Sequence, residues 1–298
     1  MSRPAEWSAA ELEEDTMAVS GAVDEITVRT HQVSGGGGVR LHVYETGNRS
    51  GQPVLFIHGL SQSGLAWHRQ LHSELARDFR LVALDLRGHG ESERPADAYG
   101  DSDLWAQDIA AVIRSLDLER PILSGWSYGG VVICDYLSRY GEGRVRGVQL
   151  VGAICGLGEP VLPFLGPRFL AAVPGLFLTD AEESVAALRA FGRLLTREPM
   201  GAEESYLVLG TAAAAPPRVR QGLLNRTLDY DTLLARLRAP VLITHGLEDE
   251  VVLPVMADHN ASIIRHAQTS YYPRTGHAPF WEDPARFNAE LRRFAASL

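Results

Sequence analysis

From Pro53 onward, apolar residues fall in short runs separated by longer stretches in which they recur every three or four positions. The runs "PVLFI", "RLVALDL", "PILSGW", "GVQLVGAI", "PVLITHG" and "TSYYP" have strand length, whereas "LAWHRQLHSELARD", "DLWAQDIAAVIRSLD" and "PARFNAELRRFAASL" have the spacing that lays one apolar stripe along a helix. Strands alternating with helices predict βαβ units, and hence a mostly parallel sheet covered on both faces. Two earlier segments, "EITVRTH" and "VRLHVYET", alternate as half-buried strands do, on either side of "SGGGG" at 34–38. Glycine tolerates positive φ, so a hairpin turn is predicted there. A phosphate loop would need a Lys, a Ser or Thr and a following helix, none of which this stretch supplies. Together the pattern predicts an α/β fold with a mostly parallel eight-stranded sheet flanked by helices.

The alternation lapses between about Gly156 and Leu228. Helical patches such as "ESVAALRAFGRLL" remain, but no convincing strand does. Phe164, Leu165, Phe169, Leu170, Phe177 and Phe191 supply apolar mass that a disordered linker lacks. Residues 156–228 are therefore expected to form an inserted helical cap, with 24–155 and 229–298 as the core. Residues 1–23 lack periodicity and read as a tail. No internal repeat is visible.

Composition narrows the function. The 298 residues are 45% apolar and 22% charged, the balance of a globular domain with a sizeable core. A net charge of -9, with no Lys/Arg block, disfavours nucleic acid and anionic lipid as partners and leaves small neutral molecules open. The acidic start "MSRPAEWSAAELEEDTM" has no signal-peptide core and no run has transmembrane length, so a cytoplasmic location without a membrane span is expected. Cys134 and Cys155 are too few for a disulfide framework and lack zinc-type spacing, and are expected to be buried, reduced thiols. Oligomeric state is not encoded legibly.

One short stretch carries chemistry. "GWSYG" follows the strand "PILSGW" and precedes the helix-like "YGGVVICDYLSRY", which puts Ser127 on a tight strand-to-helix turn. Gly125 and Gly129 suit the crowding of such an elbow, and the helix N-terminus directs positive backbone dipole at the hydroxyl. A serine needs a base and an orienting acid. Among ten histidines, His277 in "RTGHAPFWEDP" lies on the loop between the last strand and the last helix. His58, His89 and His245 end strands or sit in turns and read as structural. For the acid, "LITHGLEDEVV" offers Glu248, Asp249 and Glu250 just beyond a strand, and only a member aimed at His277 serves. Oxyanion donors are available from the backbone N–H of Tyr128 and, in "HGLSQSG", of Leu60.

In their order and spacing, "FIHGL", "DLRGHGES", "SGWSYGG", "THGLEDEV" and "GHAPFWEDP" resemble the landmarks of the α/β-hydrolase superfamily of esterases, lipases and related lyases and peroxidases, over about Val28 to Leu298. The resemblance implies the α/β-hydrolase fold, with Ser127 as nucleophile, Asp249 as acid, His277 as base, and Leu60 and Tyr128 as oxyanion donors. The superfamily's haloalkane dehalogenases and epoxide hydrolases carry aspartate at the nucleophile position, so serine argues against both. The three-glycine loop of some lipases is absent. A serine hydrolase of carboxylic esters or lactones is therefore expected, acting on small to medium, largely apolar substrates through an acyl-enzyme, with no metal or organic cofactor. A perhydrolase or haloperoxidase-like enzyme, a carbon–carbon bond hydrolase and a hydrolase-fold receptor with little turnover share the same landmarks. Trp126, Phe164, Leu165, Phe169 and Phe177 are expected to line the substrate pocket.

Overall fold

The computed structural model describes residues 27–298; the tail expected at 1–23 lies outside the described residues. Of the ten strands among the described residues, eight form one sheet. In chain order the strands are β1 (Arg29–Ser34), β2 (Arg40–Gly47), β3 (Gln52–Ile57), β4 (Phe79–Leu84), β5 (Ile122–Trp126), β6 (Gly147–Val151), β7 (Gly156–Leu157), β8 (Leu228–Asp229), β9 (Val241–Gly246) and β10 (Gln268–Tyr272). The large sheet runs β1-β2-β4-β3-β5-β6-β9-β10. β1 and β2 are antiparallel to each other, β2 is antiparallel to β4, and every other pair is parallel.

Burial explains the arrangement. All residues of β5, β6 and β9 are buried, as a strand covered by helices on both faces must be. β1, at the edge, alternates and is half exposed. Of the strand expected at 25–31, residues 25–26 lie outside the described residues; the strand begins at Arg29 rather than Thr27 and runs on to Ser34. The turn sets that register, because pairing starts at Ser34 opposite Arg40. The "SGGGG" stretch is the predicted turn, with Gly37 at φ +68°. Gly36 donates to Asp108 at 2.8 Å, and Arg87, fully buried against Asp108, donates to the Gly36 carbonyl at 2.9 Å, so the turn is latched to the core. Both cysteines are free and buried.

Between β6 and β9 the chain leaves the sheet. β7 and β8 pair with each other, Leu157 opposite Leu228, and the segment between them holds helices Pro167–Ala172, Ala181–Gly192, Ala202–Ala214 and Pro217–Leu224. Ala181–Gly192 starts where it does because Asp180 caps the Glu183 N–H at 3.0 Å, with Glu182 and Glu183 in its positive first turn. Each long helix buries only a narrow stripe: Leu188 and Phe191, then Val208 and Ala212, then Val219 and Leu223. Among the described residues no helix is long and apolar enough to cross a membrane.

Candidate active site

Ser127 stands between β5 and the helix Tyr128–Tyr140 with φ 55° and ψ -118°, a conformation that costs a non-glycine residue about 1–3 kcal/mol. The surroundings fix it there. Its N–H donates to the Val151 carbonyl and its carbonyl accepts from Gly130, both at 3.0 Å. A Cβ on Gly125 would lie 2.7 Å from the Gly129 carbonyl oxygen and 2.6 Å from Ile133, and one on Gly129 would collide with the Ile57 carbonyl. The two glycines are thus required by close approach of backbone. Tyr128, as the first helical residue, has an N–H with no helical acceptor. Opposite, Gln62 N–H turns back to the Gly59 carbonyl at 3.3 Å, which leaves Leu60 in the middle of the turn. Gly59 comes so near that a Cβ there would sit 2.9 Å from the Ser127 Cβ.

The acidic trio divides. Asp249 is buried, and Glu248 and Glu250 are exposed and ion-paired to the cap arginines Arg197 (2.6 Å) and Arg168. Asp249 Oδ1 accepts from the N–H groups of Val251 and Val252 at 2.8 and 2.9 Å, and Oδ2 accepts from His277 Nδ1 at 2.7 Å. Burial alone would raise its pKa, but His277 and His245 beside it hold the carboxyl down at about 2. With Nδ1 donating, Nε2 of His277 keeps its lone pair for a proton.

The other histidines are tied elsewhere. His58 Nδ1 donates to the Gly59 carbonyl at 2.8 Å and Nε2 accepts from Leu86 N–H at 3.0 Å. His89 Nδ1 donates to the Arg87 carbonyl, and burial pushes its pKa down to about 4. His245 Nε2 lies 2.8 Å from the Val252 carbonyl and 3.2 Å from Asp249 Oδ2, so it buttresses the acid loop.

A cavity of about 180 Å³ opens over Ser127, with Leu60 and Tyr128 in its wall. Leu165 and Phe169 are among its lining residues, as are Ile154, Leu157, Val161, Phe191, Leu224 and Val252. Three expected lining residues point elsewhere. Trp126 lies beneath the base: its Nε1–H donates to the His277 carbonyl at 2.9 Å and its ring packs edge-on against Phe280 at 5.0 Å. Phe164 packs on His259, ring centroids 4.9 Å apart, and Phe177 is half-buried within the cap packing. Short helical turns send successive aromatics to different faces, and only one face meets the cavity.

Gly152 escapes a reading of the sequence. At φ +49° it follows β6, and a Cβ there would lie 3.1 Å from His277 Nδ1 and 3.4 Å from Asp249 Oδ2. Its only signal is a glycine closing the run "GVQLVG". Among the described residues, no group of three or more His, Cys, Asp or Glu is placed to hold a metal ion.

Residues 54–290 match the family described as the alpha/beta hydrolase family. Among solved structures, the esterase RhEst1 from Rhodococcus sp. ECU1013 is 42% identical, with 90% of this chain and 99% of that one covered at a TM-score of 0.86. A non-heme chloroperoxidase from Streptomyces lividans is 29% identical over 87% of this chain and 97% of its own length. A 2-hydroxymuconate semialdehyde hydrolase from Pseudomonas sp. (strain CF600) is 30% identical over 87% and 91%.

Proposed function

The chain belongs to the alpha/beta hydrolase family, and from that premise we propose that it is a serine hydrolase cleaving carboxylic esters or lactones of small to medium, largely apolar substrates through an acyl-enzyme. The observation that carries this is the position of Ser127: a strained serine in the wall of an apolar cavity, in a fold whose sheet edge also presents the Asp249–His277 pair. His277 Nε2 takes the Ser127 proton as Oγ attacks the acyl carbon. The developing oxyanion is met by the N–H groups of Leu60 and Tyr128, and the C–O bond breaks as His277 returns the proton to the leaving alcohol. Water, deprotonated by His277, then attacks the acyl carbon and releases the acid and the free serine.

The cavity wall favours an uncharged acyl chain, since its side chains are apolar apart from Ser127 and Tyr128. Likeness to a non-heme chloroperoxidase and to the 2-hydroxymuconate semialdehyde hydrolase supports testing hydrogen peroxide as a rival for water, giving a peracid, and carbon–carbon cleavage as a side activity.

The experiment is Ser127→Ala with an ester panel. Turnover falls by on the order of 10³-fold or more while the protein stays folded. Near-normal turnover by that variant ends the mechanism, and saturable ester binding without release of acid by the unaltered chain points to a receptor.

A further inference from the structure

Helix Ala181–Gly192 divides the cap. Its Phe191 faces the cavity over Ser127, while Leu188, Arg189 and Gly192 face the other way, where helix Ala202–Ala214 lies across from them and a second cavity of about 450 Å³ opens. Its floor is apolar: Leu188 and Val208 are buried, Met200 and Leu209 partly so. Its rim carries Arg189, Arg193, Arg197 and Tyr206, all exposed.

The charge of this rim runs against that of the chain. Three guanidinium groups line the cavity and, among the described residues, no carboxylate does, although the net charge of the whole is -9. Arg197 is committed to Glu248 and Glu198. Arg189 and Arg193 form no ion pair among the described residues; Glu204, which opens the facing helix, is paired with Arg69 instead. Arg189, in the last turn of the helix, and Arg193, its C-cap, stand four residues apart, a spacing at which like charges repel. A bound anion removes that repulsion and accepts charge-assisted hydrogen bonds from both forks. Beside them Tyr206 is 67% exposed, more than any other large hydrophobic side chain described.

We propose that this outer cavity is a binding site, separate from the one at Ser127, for an amphipathic monoanion: a medium-chain alkyl carboxylate with its head between Arg189 and Arg193 and its chain along Leu188, Met200 and Leu209. The charge and the apolar floor each demand one half of that ligand. The site does not require Ser127 to turn anything over.

The test is calorimetric titration of the full chain with octanoate, butyrate and octan-1-ol. Octanoate binds saturably, and butyrate, which lacks the chain, and octanol, which lacks the charge, bind at least tenfold more weakly. Arg189→Gln/Arg193→Gln, at exposed positions that leave packing intact, weakens octanoate at least tenfold. Val161→Trp, which fills the cavity over Ser127, leaves octanoate binding within twofold. Amide shift changes on adding octanoate to the unaltered protein cluster in 188–209, a readout independent of that variant. Loss of less than tenfold in the double arginine variant, octanol or butyrate binding as tightly as octanoate, or shift changes clustered in 157–173 overturns the proposal.

Discussion

The sheet and the cap are held by different forces. In β5, β6 and β9 every residue is buried, so the centre of the sheet rests on contiguous apolar contact worth about 1.5–3 kcal/mol for each large side chain. The helices between β7 and β8 bury one or two apolar side chains apiece and lean on polar latches. Arg226, just past the last cap helix, donates to both oxygens of the buried Asp135 at 2.6 and 2.8 Å and to the hydroxyl of Tyr128 at 2.8 Å. On the opposite side, Gly166 N–H donates to the Val251 carbonyl at 3.0 Å and Leu253 N–H to that of Phe164 at 2.8 Å. Near the base, Glu282 accepts from Gly276 N–H at 2.7 Å and from Arg197 N–H at 2.9 Å. The proposed chemistry thus sits on the continuously buried part, and the proposed acyl selection on the part fastened by discrete, removable bonds.

The sharpest test of that division is within the acidic trio. Asp249→Asn leaves the cap latches untouched and mis-sets the His277 tautomer, so kcat/KM drops on the order of 10³- to 10⁴-fold with little change in unfolding. Glu248→Gln and Glu250→Gln each remove an exposed latch and change kcat by less than about threefold. Steady-state kinetics on the three variants checks this, and a crippled Glu248→Gln would move the acid by one residue.

Next comes the buried latch. Arg226→Met leaves Asp135 charged and without its ion-pair partner in the interior, and stability falls by about 3–5 kcal/mol in denaturant unfolding. A loss below about 1 kcal/mol would mean that the cap root is held by apolar packing after all.

A control within the sheet is Glu45, fully buried on β2 and bonded to Arg80 at 2.9 Å, His31 at 2.6 Å and Arg49 at 3.3 Å. Burial opposes ionisation, yet the hydrogen bonds from Arg49, Arg80 and His31 and the charge of Arg80 hold its pKa at about 2, below the ordinary 4.5. A lowered folded-state pKa contributes stability that is complete above about pH 4.5 and is lost as the pH falls through about 2. Glu45→Gln therefore costs about 1–3 kcal/mol at neutral pH, and its deficit relative to the unaltered protein closes between pH 4.5 and 2. Unfolding curves across that range measure it.

The smallest effect is graded. Each methylene added to the acyl chain raises kcat/KM by up to about fourfold, from about 0.8 kcal/mol of burial, until the cavity fills. Val161→Phe shortens the optimal chain by a few carbons. A panel from acetate to decanoate reads both, and an unmoved optimum would detach the cap from selection.

The sheet is legible because fully buried strands write themselves as unbroken apolar runs, and the Ser127 elbow because a sharp turn demands glycine on both sides. Asp249 cannot be told from its acidic neighbours by composition; what separates them in space is the burial that only β9 and the Asx-type bonds to Val251 and Val252 create. Phe164, Phe177 and Trp126 are expected at the pocket because an apolar side chain announces that it is buried, not which void it faces. Gly152 and the Arg226–Asp135 pair are invisible for a related reason: partners 91 residues apart leave no local pattern.

The two-residue ladder of β7 with β8 has a consequence for how the chain is divided. Leu157 and Leu228 face each other at the base of the cap, so the segment leaves and re-enters the fold through one doorway. Its ends are already joined whatever lies between, and loop closure grows only by about 0.6 kcal/mol for each doubling of length. Such an excursion is a cassette: its length can change without altering the strand order that places Ser127, Asp249 and His277, so the proposed catalytic frame and the proposed selecting roof are separable parts of one chain.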